Sequence, residues 1–120
     1  AAGQCEPAAI ASAIGLLQAA GFAVSRVLDV PGLAVMRTVA MLANEAADAV
    51  NQGVCSESAA DSAMRLGVNY PQGPLAWADQ VGVATTRDVL ANLGTSYGED
   101  RYRISPLLQR AVFAGRKIHD

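Results

Sequence analysis

The stretch Gly67-Val68-Asn69-Tyr70-Pro71-Gln72-Gly73-Pro74 constrains the fold more than any other, because it sets two glycines and two prolines between two apolar segments. Gly67 follows a helical pattern and supplies the left-handed position that residues with a Cβ avoid, so a helix is predicted to end there. Pro71 biases Tyr70 toward extended backbone, Gly73 permits close backbone approach, and Pro74 suits the first helical position, where a missing N–H costs nothing. The next helix carries Leu75, Trp77, Ala78 and Val81 and stops at Gly82. Taken alone, this is a tight helix-to-helix connection that any helical domain could use.

Helical spacing recurs along the chain. Pro7 to Ala20 places Ile10, Ile14 and Leu17 on one side before Gly21. Phe22–Val27 is the one candidate strand, and a lone strand needs a partner to satisfy its backbone. After the break at Asp29-Val30-Pro31-Gly32, one long pattern runs from Leu33 to Gln52. Its polar positions Arg37, Asn44, Asp48 and Gln52 form a narrow stripe. Leu33, Met36, Ala40, Ala43, Ala47 and Val50 make one apolar face, and Val35, Val39, Leu42 and Ala46 make the next. A helix apolar over so much of its circumference is either central or meets a partner subunit. Ser56 caps a short helix to Leu66, Thr85 or Thr86 caps another through Leu93, and Ser105-Pro106 opens a last one that Gly115 closes.

In a chain of 120 residues the apolar fraction of 52% is rich in alanine and the aromatic fraction is only 5%, which predicts closely packed helices and argues against a sandwich or barrel. The net charge of −2 without a basic run gives no electrostatic footprint for nucleic acid or an anionic membrane. Arg37 and Glu45 interrupt the longest apolar stretch, so none reaches the roughly 18 residues that a membrane span requires. Cys5 and Cys55, with no second pair and no nearby histidine, read as free thiols of a reducing cytoplasm and not as a metal site. The start, Ala1 to Pro7, lacks the charged and apolar regions of a signal peptide and reads as a loose leader or an internal cut in a longer chain.

Chemistry-bearing patterns are sparse. No glycine-rich strand-to-helix turn or phosphate loop is present, which argues against nucleotide binding by this piece. His119 is expected to be a solvated tail residue. Asp61, Asp79, Glu45 and Asp48 sit at helical positions suited to capping or salt bridges. Arg101, Arg103, Arg110, Arg116 and Lys117 make the last quarter locally basic, suited to a solvated face or to a phosphate-bearing ligand. Ser58 to Asn69 has the look of the first helix and turn of a DNA reader. The likeness fails where Pro71, Gly73 and Pro74 would break the recognition helix and no basic residue occurs between Arg65 and Arg87.

Together, "DVPGLAVMR", "NEAADAVNQGVCSESAADSAMRLGVNYPQGPLAWADQVG" and "YGEDRYRISPLLQR" resemble the C-terminal helical domain of the 3-hydroxyacyl-CoA (3-hydroxybutyryl-CoA) dehydrogenases. Residues 8 to 28 resemble the last helix and strand of that family's nucleotide-binding domain. The resemblance implies an all-α bundle around one long central helix, like the C-terminal domain of 6-phosphogluconate dehydrogenase. It divides the chain into 1–28, the helical domain 29–115 and a tail 116–120.

The resemblance further implies a parent enzyme that oxidises an L-3-hydroxyacyl-CoA to the 3-oxoacyl-CoA in cytoplasmic acyl-CoA breakdown, including fatty acid β-oxidation. NAD is held by a Rossmann domain and no cofactor by this piece. The helical domain closes the acyl-CoA cleft and dimerises. In the family's Pro-Gly-Phe-x-x-Asn-Arg motif, Pro31, Gly32 and Arg37 match, Leu33 replaces Phe, and Met36 stands where the Asn should be. A thioether lacks the amide's donors and acceptor, so no catalytic residue is assigned, and the chain is expected to be a second, degenerate helical copy. Its partner would be a first copy in the same polypeptide or another subunit. Two other readings are a domain that binds CoA directly through Arg101, Arg103 and Arg110, and a stand-alone helical interaction module.

Overall fold

The structure, a computed structural model, describes residues 1–120 and is all helical. It comprises α1 (Pro7–Ala19), α2 (Val35–Asn51), α3 (Glu57–Gly67), α4 (Pro74–Val81), α5 (Val83–Tyr97), a 3-10 turn (Asp100–Tyr102) and α6 (Pro106–Ala114). Prolines open α1, α4 and α6. Ser56 caps α3 by accepting the Ala59 N–H at 3.3 Å, with Glu57 in the first turn and Arg65 in the last, where each complements the helix dipole. Ser105 caps α6 through the Leu107 N–H.

The long helix is central, as its pattern predicted: α2 packs against α3, α4, α5 and α6. Ala40, Ala43 and Ala47 are fully buried along its inner face, beside Leu75 and Ala78 of α4, Leu90 of α5, and Leu107, Leu108 and Ala111 of α6. Alanines at this seam let the helix backbones approach closely, so large core side chains come from the surrounding helices instead.

Three local expectations are corrected. Phe22–Val27 forms no strand, for it has no second strand to pair with. Gly67 is the last residue of α3 and not its left-handed stop. That role falls to Asn69 at φ 58°, while the N–H groups of Val68 and Tyr70 both return to the Met64 carbonyl. Asparagine tolerates this region because its short polar side chain can bond locally. Finally, α5 starts at Val83, before either threonine, because Gly82 at φ 105° turns the chain within one residue between α4 and α5. Thr86 is buried inside α5 with its hydroxyl donating to the Gly82 carbonyl.

By contrast, α1 has no buried residue and stands apart from the bundle. The segment after α6 is no free tail, since Ile118 is buried in the core. No helix is long and apolar enough to cross a membrane, and both cysteines are free thiols.

Candidate functional site

The entry to α2 is a tight turn in which the Leu33 N–H donates to the Val30 carbonyl at 3.0 Å. Gly32 and Leu33 both take left-handed backbone, φ 76° and 48°. A Cβ on Gly32 would lie 3.0 Å from Leu93 Cδ2 and 3.1 Å from Arg37 Cβ, so the glycine is what lets this turn press on α5. Leu33 has no such licence, and left-handed backbone costs an L-residue roughly 1–2 kcal/mol.

This turn sets the direction of Met36 and Arg37. Met36 is 40% exposed and lines two cavities, one of about 590 Å³ with Val27, Leu33, Val35, Val39 and Val81, and one of about 150 Å³ with Pro31, Gly32, Asn92 and Leu93. Arg37 turns toward the 3-10 turn, its guanidinium 4.7 Å from the Tyr97 ring centroid and 5.5 Å from that of Tyr102. The two rings stack at 5.4 Å. Arg37 thus acts as a cation over an aromatic pair.

Three faces of α2 now separate by helical spacing. The alanine face is inside. On the side opposite the polar stripe, Val35, Val39, Leu42 and Ala46 form a row that the bundle only partly covers, and Val35 is 76% exposed. The 590 Å³ cavity continues along this row into one of about 330 Å³, bordered by Thr38, Tyr70 and Trp77, and then one of about 230 Å³, bordered by Cys55, Ala63 and Met64. Tyr70 and Trp77, 5.8 Å apart between ring centroids, wall the groove from the Gly-Pro connection. Most lining side chains are apolar, with Glu45 and Cys55 at its far end, so the groove suits an apolar occupant.

The polar stripe serves the scaffold. Asn44 is buried, donates to the Arg103 carbonyl at 2.8 Å and accepts the Ser105 N–H at 2.8 Å, which pins the connection into α6. Of the three arginines considered for CoA, Arg101 pairs with Glu99, Arg103 lies 3.5 Å from Asp48, and Arg110 donates to Asn51 at 2.9 Å. Arg103 and Arg110 therefore lie along the polar side of α2, away from the groove and from Met36. Glu45 is exposed. Asp61 accepts the N–H groups of Leu75 and Ala76 at 2.8 and 2.9 Å and so caps α4, and Asp79 accepts those of Ile118 and His119. Sequence reasoning missed Asn44 as a clamp. The available signal was a polar amide one helical step from Ala40 and Ala47.

The family described as "3-hydroxyacyl-CoA dehydrogenase, C-terminal domain" matches residues 32–118, and "3-hydroxybutyryl-CoA dehydrogenase reduced Rossmann-fold domain" matches residues 1–31. The chain therefore belongs to the 3-hydroxyacyl-CoA dehydrogenase family, as its C-terminal helical domain. The 3-hydroxyadipyl-CoA dehydrogenase of Escherichia coli K12 is 54% identical over 101 residues, covering 83% of this chain and 21% of the relative. A probable 3-hydroxybutyryl-CoA dehydrogenase of Bacillus subtilis is 37% identical over 102 residues, 85% of this chain and 36% of the relative. The crystal structure of (S)-3-hydroxybutyryl-CoA dehydrogenase PaaH1 from Ralstonia eutropha superposes with a TM-score of 0.91 at 31% identity, over 96% of this chain and 43% of that one. That of 3-hydroxybutyryl-CoA dehydrogenase from E. coli gives 0.84 at 49% identity, over 95% and 24%. The chain thus spans about a fifth to a little over a third of the curated relatives' lengths.

Proposed function

We propose that this chain is a supporting helical domain of an NAD-dependent L-3-hydroxyacyl-CoA dehydrogenase, mediating assembly and walling the acyl-CoA cleft without performing the chemistry. The observation that carries this reading is the uncovered apolar groove along α2, with Met36 at its head in the place of the family's amide. Residues 1–120 do not fit NAD, because they hold no glycine-rich turn between a strand and a helix. The dinucleotide belongs to a Rossmann domain elsewhere in the parent.

The groove's occupant is a second helical domain, in another subunit or in the same polypeptide. Two facts favour the latter, with this chain as the second copy. A reduced Rossmann-fold piece directly precedes the helical domain. Similar matched lengths make up 21% of the E. coli relative but 36% of the B. subtilis one, so the former is longer by more than half.

Sedimentation equilibrium at tens of micromolar tests assembly: the isolated chain is expected to self-associate through its exposed face, and a monomer overturns that claim. Calorimetry with acetoacetyl-CoA separates the direct CoA-binding reading, since heat at millimolar ligand or below would favour it and its absence favours a supporting role.

A further inference from the structure

Helix α1 carries no charged side chain and buries none of its residues. Leu16 is 73% exposed and Leu17 45%. A helix without a charged face is held in water only when something covers it, and its 13 residues are near the lower limit for a helix standing alone. The bundle provides no such cover. α1 lies clear of α2, at the end of a connection, residues 20–34, that contains no helix or strand. No N–H of residues 23–29 is hydrogen-bonded, and glycines with left-handed backbone stand on either side, Gly21 at φ 88° and Gly32 at φ 76°. Passing a terminal element to a second copy across a linker of this kind is a low-cost route to a dimer.

The groove along α2 matches α1 in chemistry, length and position. Its walls are mostly apolar, and Ser25 and Val27 of the connection already border its head. It follows α2 from Val35 to Ala49, about 21 Å, and α1 is about 20 Å long. Half the girth of a helix over that length is about 340 Å². Counted on helix and groove in a reciprocal pair, this comes to about 1,400 Å², at the low end of what a stable dimer buries.

We propose that α1 is an exchanged arm: in a pair of copies, each lays its α1 into the apolar groove along the other's α2. This rests on the reading of the groove as a docking surface and names the segment that fills it when the partner is a second copy of this chain. Both surfaces then leave water together, and the only charged side chain lining the groove, Glu45, stays at the exposed far end.

Sedimentation equilibrium of the full chain tests this, joined to acrylamide quenching of Trp77, the only tryptophan and a wall of the groove. The variant is Leu16→Lys/Leu17→Lys. The control, Leu66→Lys/Val68→Lys, adds the same charge at residues that are 87% and 53% exposed and do not border the groove. Wild type and control are expected to dimerise at tens of micromolar with Trp77 shielded, and the α1 variant to dimerise at least about tenfold more weakly with Trp77 open to the quencher. An α1 variant that dimerises within about twofold of wild type, or a control that weakens as much, overturns the exchanged arm and leaves the groove's docking role standing. A wild type that stays monomeric overturns both. Should the variant misfold, hydrogen exchange of the wild-type α1 amides decides: slowing about tenfold between roughly 1 and 100 micromolar chain supports the arm, and protection independent of concentration overturns it.

Discussion

Gly67 and Gly73 stand six positions apart and serve opposite ends of one corner. A Cβ on Gly73 would lie 2.1 Å from Asp61 Cγ, and Asp61 cannot retreat without releasing the Leu75 and Ala76 N–H groups. Gly73→Ala is therefore expected to cost about 2–3 kcal/mol in urea denaturation, from overpacking together with a lost cap. At Gly67 nothing lies within 4 Å and the residue is helical, so Gly67→Ala is expected to gain about 0.5–1 kcal/mol. Equal losses at both sites would contradict this account. The close approach at Gly73 was legible in the sequence because Pro71 and Pro74 bracket it. What Gly73 approaches was not, since Asp61 reaches α4 across the whole connection and only the folded corner brings them together. The same holds for His119, whose ring meets Asp61 of α3 and Asp79 of α4.

Among the helices, α2 shows how far a periodic pattern can be read. Its central placement holds on the alanine face, and the opposite face is left partly uncovered within the chain. Ala43 is fully buried, so Ala43→Leu is expected to lower stability by about 2–3 kcal/mol through overpacking, read as a shift in the thermal or denaturant midpoint. Val35→Lys, on the open face, is expected to stay within about 0.5 kcal/mol of wild type. The same substitution should nevertheless weaken the proposed association in sedimentation, because a charge would enter the apolar groove. A large loss of stability from Val35→Lys would mean that the face is already covered within the chain. The polar stripe was visible as spacing, but its work was not: Asn44 was one more polar position until the chain around Arg103 and Ser105 folded onto its amide.

For the molecule as a whole, the bundle was legible because caps, prolines and apolar spacing agreed, whereas the strand at Phe22–Val27 failed because residues 1–120 offer no second strand to pair with. The family signature located the domain. The seam of alanines beneath α2 has a further thermodynamic consequence. Only 20 of 120 residues are buried, many of them small, and α1 contributes none. Unfolding the isolated chain thus wets little new hydrocarbon, and the sensitivity of its stability to denaturant scales with that area. The urea slope should fall near the low end of the usual range, about 1 kcal/mol per molar, with a correspondingly small heat-capacity increment. With a partner helical domain seated on the groove, as proposed above, both quantities should rise together as one cooperative transition.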